Sequence, residues 1–189
     1  MTDLENKFLR AAHHESGHLV VAAANGLELR KEGLIIDASG EGLACYNKDP
    51  KGSDVLRSRI IIASYAGFRA EERFCEAHSL PDPTLGIIDT LDWREARALL
   101  NEISCENLFR GSVPSTRIEL ENQSTQLVDQ HYAAITALAS VVLSKEWEPL
   151  PVLKSGANWS HEKVAKCVRG NEVIAVLALH GISASLALD

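Results

Sequence analysis

Apolar positions along the first 24 residues (Leu4, Phe8, Leu9, Ala12, then Leu19, Val20 and Ala23) recur at helical spacing. Thr2 followed by Glu5 forms a capping-box pattern ahead of this stripe, and Asn25-Gly26 supplies the stop. The pattern then changes period. Leu34-Ile35-Ile36 and Leu43-Ala44-Cys45-Tyr46 are short apolar runs flanking Ala38-Ser39-Gly40-Glu41-Gly42, which predicts a β-hairpin over about residues 33–47. After the Asp49-Pro50-Lys51-Gly52 break, a long helix is predicted from Ser53 or Asp54 through Ile60-Ile61-Ile62 and Tyr65-Ala66-Gly67 to about Phe74. His78 to Gly86 holds two prolines and reads as a loop. A third helix starts near Asp89-Thr90, buries Ala96, Leu99, Leu100 and Ile103, and is broken by Gly111 to Ser115. Arg117 to Trp147 is helical again, with Leu127, Ala134, Leu138, Val141 and Val142 apolar. A proline-marked break over about 149–159 follows. Ser160 is placed to cap a short helix to Val168, and Glu172 to Leu179 reads as another, stopped by Gly181.

The fold class this predicts is mainly α with one small β-hairpin, in a single domain over residues 1–189. Composition agrees, since 46% hydrophobic and 24% charged residues suffice for an ordinary core. A net charge of −7 argues against a nucleic-acid partner, which needs clustered Lys and Arg to displace counterions. Apolar runs such as Leu19 to Ala24 fall far short of the roughly 20 residues of a membrane span, so none is expected. The opening MTDLENKF lacks the organisation of a secretory signal. Cys45, Cys75, Cys105 and Cys167 are scattered without a C-x-x-C, which points to reduced thiols and a cytoplasmic setting.

The chemistry lies in His14-Glu15-Ser16-Gly17-His18, an H-E-x-x-H inside the first predicted helix. Residues four apart on a helix lie one above the other, so both imidazoles can converge on one metal ion. Glu15 sits about 100° round the helix from His14, where a carboxylate can accept a proton from metal-activated water. A catalytic zinc normally takes three protein ligands and keeps a fourth position open. The extended form of the motif is missing, because Val21 and Ala24 stand where it has glycine and histidine. The third ligand must come from afar, and Glu71, Glu72, Asp89 and Asp92 all qualify.

HHESGHLVVAAANG resembles the segment that opens the peptidase domain of the FtsH-type ATP-dependent zinc metalloproteases. ASYAGFRAEERF is similar to that family's Ala-Gly-Arg-x-Ala-Glu-Glu helix, TLDWREARALLNEI resembles its Ser-Asn-Asp-Leu segment, and LVDQHYAAITALASVVLSKEW resembles a later core helix. Together these cover roughly residues 10–148 in the family's order. The resemblance implies a helical metalloprotease domain with Zn²⁺ held by His14, His18 and Asp92, the last lying 74 positions past His18. It makes Glu15 the catalytic base and Glu71 a group that steadies a ligand histidine. The chain departs from the family at Leu91, at Phe68 and across Asp37-Ala38-Ser39-Gly40 of the hairpin. It also carries no G-x-x-x-x-G-K-[ST] loop, so it reads as the proteolytic part standing without its ATPase and membrane parts.

The function expected is therefore zinc-dependent hydrolysis of peptide bonds in flexible or unfolded polypeptide, which the hairpin edge holds by strand addition. A zinc-binding, non-catalytic regulatory or assembly protein of the same fold is the alternative. A homo-oligomer and a separate ATPase acting in trans are compatible partners. Among the remaining residues, His13 points away from the pair and takes a surface or packing role, while His78, His131, His161 and His180 have no partner spacing. Cys75 and Cys105 read as small core residues, and Gly17 as a point of close approach for a helix or the substrate.

Overall fold

The computed structural model describes residues 3–81, 91–103, 116–151, 160 and 162–187. Several expected features lie outside them: the Thr2 cap, Asp89, Cys105, the Gly111–Ser115 break, His161, and most of the loop after Pro81.

Helix α1 (Asp3–Ala24) carries the H-E-x-x-H segment and ends as its sequence suggests. Gly26 takes φ +75°, and the Leu27 N–H donates to Ala22 O at 2.9 Å, closing a Schellman turn. Strand β1 (Leu29–Asp37) pairs antiparallel with β2 (Gly42–Tyr46) in the register Leu34–Ala44 and Ile35–Leu43. The connecting turn is fixed by the buried Asp37 carboxylate, whose Oδ1 accepts from the Ser39 N–H, the Ser39 hydroxyl and the Glu41 N–H.

Helix α2 (Asp54–Ala77) starts at the Ser53 cap and crosses α1 closely. A Cβ built on Gly17 would lie 2.6 Å from both Ala66 O and the Ala70 Cβ, so α1 can meet α2 at this depth only through a glycine. Helix α3 (Leu91–Glu102) lies on α2, with Trp93 against Tyr65 at 4.8 Å between ring centroids. Helix α4 (Arg117–Ser144) begins at a Thr116–Glu119 capping box and departs from helical geometry at His131. By length and mean hydropathy alone α4 could cross a membrane, yet its Leu120, Ile135 and Leu138 are fully buried in the core. Strands β3 (Glu148–Pro149) and β4 (Val164–Val168) precede the final helix α5 (Gly170–Leu179). One apolar cluster joins Leu19 and Val20 of α1 to Leu34 and Ile36 of β1, Ile60 and Ile61 of α2, and Leu177 of α5. The opposite face of the sheet holds a small cluster of Ile35, Cys45, Ala165 and Cys167.

The mainly helical reading stands, but the β element is larger than one hairpin. Four strands form a sheet in the order β2-β1-β4-β3, all antiparallel. Residues 164–168, expected to be helical, pair instead with β1 through Leu34–Val168 and Ile35–Cys167. Ser160 does not cap a helix; its hydroxyl donates to Asp37 Oδ2 and ties the approach to β4 to the hairpin turn. Helix α4 also stops at Ser144, three residues short of Trp147, and Pro149 sits in an edge strand where its missing N–H costs nothing. One side of β1 is covered by β4, so the hairpin's open edge is β2.

Candidate metal centre

His14 and His18 project from the same side of α1, with ring centroids 4.8 Å apart. Asp92, in the first turn of α3, reaches them from across α2. Its Oδ2 lies 3.5 Å from His14 Nε2 and 3.4 Å from His18 Nε2. A tetrahedral first-row cation with bonds of about 2.0–2.1 Å places its donors about 3.3–3.4 Å apart, so the two distances from Asp92 suit a shared ion, and all three ligand atoms lie within 4.8 Å of one another. These residues, drawn from α1 and from the start of α3, could hold a metal ion.

Both imidazoles are oriented through their other nitrogen. His14 Nδ1–H donates to Glu71 Oε2 at 3.0 Å, and His18 Nδ1–H donates to the Ala63 carbonyl at 2.7 Å. That fixes the tautomer in which Nε2 presents a lone pair to a cation. Glu71 is held in turn by Arg10, whose Nε–H donates to its Oε1 at 2.7 Å. Of the other third-ligand candidates, Glu72 pairs with Arg69.

Helix α2 makes the room. A Cβ added to Gly67 would lie 2.6 Å from His18 Cε1 and 2.7 Å from His14 Nε2. A glycine inside a helix costs about 1 kcal/mol relative to alanine, and here it leaves space at the nitrogens that would bind metal. In the sequence, the one signal of this role is that Gly67 is a glycine inside a helical pattern. Phe68 stands edge-on to His14 at 4.9 Å between centroids, walling the same space.

The electrostatics suit cation binding. Burial opposes charge on His14, but hydrogen bonds to Asp92 and Glu71 outweigh it and raise the imidazole to about 10. Burial likewise disfavours the Asp92 carboxylate, yet the two histidines hold its pKa well below the ordinary range. For Glu71, hydrogen bonds from His14 and Arg10 overcome burial and lower the pKa. Glu15 goes the other way: burial raises its carboxyl, with His14 and His18 only partly offsetting it. Strand β2 begins against this carboxylate, since a Cβ on Gly42 would lie 2.8 Å from both Glu15 Cδ and Oε1. A cleft of about 520 Å³ opens there, with His14, Glu15 and Glu71 among its lining residues.

His13, by contrast, packs: its ring stacks on Phe74 at 4.2 Å, and its Nδ1–H donates to Leu9 O. Cys75 is buried, as a small core residue would be. No family model matches this chain, and comparison with curated proteins finds no significant match.

Proposed function

We propose that this protein is a zinc-dependent endopeptidase of the kind its FtsH-type resemblance implies, acting on flexible or unfolded polypeptide. The observation that carries the reading is the meeting of His14, His18 and Asp92, whose ligand atoms lie within 4.8 Å of one another, with Glu15 beside them on the wall of an open cleft. Two imidazoles and one carboxylate form the ligand set of an open catalytic site rather than a closed structural one. Zinc held there would supply Lewis acidity, acidifying a water and polarising a peptide carbonyl.

The chain's own residues supply the remainder. Glu15, made more basic by burial, takes the proton from the attacking water and delivers it to the leaving amine. Glu71 and the Ala63 carbonyl hold the two rings in place, so the ligands need not reorganise during the reaction. The open edge of β2 starts at Glu15 and can align an extended peptide through main-chain hydrogen bonds, which favours segments that are not already folded. Further copies of the chain and a separate ATPase acting in trans are compatible with this reading, though nothing in the chain points to an ATPase.

Glu15→Gln tests the reading. The variant is expected to retain one zinc per chain while losing cleavage of a casein-like unfolded substrate by at least about 10²-fold. Unchanged cleavage would remove Glu15 from the chemistry. A zinc-loaded wild type that cleaves nothing would favour the non-catalytic metal protein instead.

A further inference from the structure

The cleft beside the metal centre extends along α1 past His14 to Arg10 and Lys7, and is bordered by Gly40 of the hairpin turn and by Pro81. Its charges are not equivalent. Glu71 is taken up by Arg10 and His14, and Glu15 belongs to the proposed reaction. Lys7 has no counter-ion among the described residues. Its aliphatic stem lies over Gly40, where a Cβ would come within 3.2 Å of the Lys7 Cγ and Cδ. Glycine at that turn therefore lets the lysine lie along the cleft wall. Arg10 spends its Nε–H on Glu71, which leaves its other guanidinium N–H groups for an incoming acceptor. In a chain of net charge −7, Lys7 is thus an uncompensated positive charge on the cleft wall, with the Glu71-paired Arg10 between it and the metal centre.

The spacing converts into substrate positions. A helix rises about 1.5 Å per residue, so Arg10 and Lys7 stand about 6 and 10 Å from His14 along the axis. An extended peptide advances about 3.3 Å per residue, so those distances correspond to about two and three residues from the scissile bond.

We propose that this cleft is the subsite that reads a carboxylate on the substrate, with Lys7 and Arg10 receiving an acidic side chain two or three residues from the bond to be cut. The assignment rests on the peptidase reading above, and Lys7 is its specificity-determining residue.

The test uses zinc-loaded full-length protein and C-terminally amidated fluorogenic peptides carrying Glu, Gln or Lys at each of three positions on either side of the cut. A further Gln peptide ending in a free carboxylate separates a side-chain acid from a chain terminus. At one of these positions, kcat/KM should favour Glu over Gln by about threefold to fivefold, an effect that weakens as salt rises. Lys7→Glu should turn that preference toward Lys. Equal kcat/KM for Glu, Gln and Lys peptides in the wild type would overturn the subsite while leaving the peptidase reading intact. So would a Lys7→Glu variant that still prefers Glu. A preference shown only by the free-terminus peptide would overturn the side-chain assignment. Binding of the same peptides to Glu15→Gln protein, followed by fluorescence anisotropy, covers the other failure. Glu-selective binding that Lys7→Glu removes, without turnover in the wild type, would sustain Lys7 as the residue that reads the acid, overturn its placement relative to a cut, and sink the peptidase. Absence of selective binding and of turnover would sink both.

Discussion

Replacing Gly67 with alanine puts one methyl group against the two ligand imidazoles. The added carbon would stand 2.7 Å from His14 Nε2 and 2.6 Å from His18 Cε1. Non-bonded carbon contacts settle near 3.5 Å, so the rings must retreat by about 0.8 Å or more. They have little freedom to do so, because each is anchored through Nδ1, one to Glu71 and the other to the Ala63 carbonyl. Metal sites tolerate only about 0.2 Å of ligand displacement, so zinc affinity should fall by about a hundredfold or more. Stability should change much less. Alanine gains about 1 kcal/mol over glycine in a helix, against an overpacking cost of about 1–3 kcal/mol. Zinc affinity by chelator competition and a urea midpoint in EDTA separate the two effects. Zinc binding within about twofold of wild type, with the fold retained, would refute the claim that Gly67 makes the room for the ion.

Glu71→Gln removes the carboxylate shared by His14 and Arg10 and should lower zinc affinity about 10–100-fold; an unchanged constant in the same competition assay would contradict its positioning role. In EDTA, stability should decline with pH. His14 is raised from 6.5 to about 10, so its contribution is fully present below pH 6.5 and is lost as pH rises through 10. Denaturation midpoints for wild type and His14→Gln should therefore converge across that window, and midpoints that stay parallel would contradict the shift. Gly33→Ala should cost at least about 2 kcal/mol by urea denaturation, because the residue adopts φ +70° and a Cβ would be driven into the Val168–Gly170 backbone.

The candidate centre was legible because its chemistry is local. The i, i+4 spacing of His14 and His18 on one helix leaves little freedom, and α1 appears where its apolar stripe places it. Asp92 was reachable by resemblance alone; from spacing, four carboxylates stayed open, and choosing among them takes the crossing of α1, α2 and α3. Gly17 was read as a close approach and proves to be where α1 meets α2. Gly67 was missed because its purpose lies in the neighbouring helix, not in its own. Strand β4 was illegible for a related reason. Its main-core residue is Val168, while Ala165 and Cys167 face the small cluster on the other side and are too small to give a strand pattern; Ser160 offered a misleading cap. What makes 164–168 a strand is the exposed backbone of β1. Likewise β1 runs back to Leu29 through the charged Arg30-Lys31-Glu32, with a register shift between Leu29 and Leu34 that no apolar alternation announces.

The most direct test of the central claim is a crystal structure of zinc-loaded protein, with anomalous scattering recorded at the zinc edge. One peak is expected, bonded to His14 Nε2, His18 Nε2 and an Asp92 carboxylate oxygen at about 2.0–2.2 Å, with the remaining position facing the cleft and filled by solvent. Zinc bound elsewhere, or closed off by a fourth protein ligand, would contradict the claim.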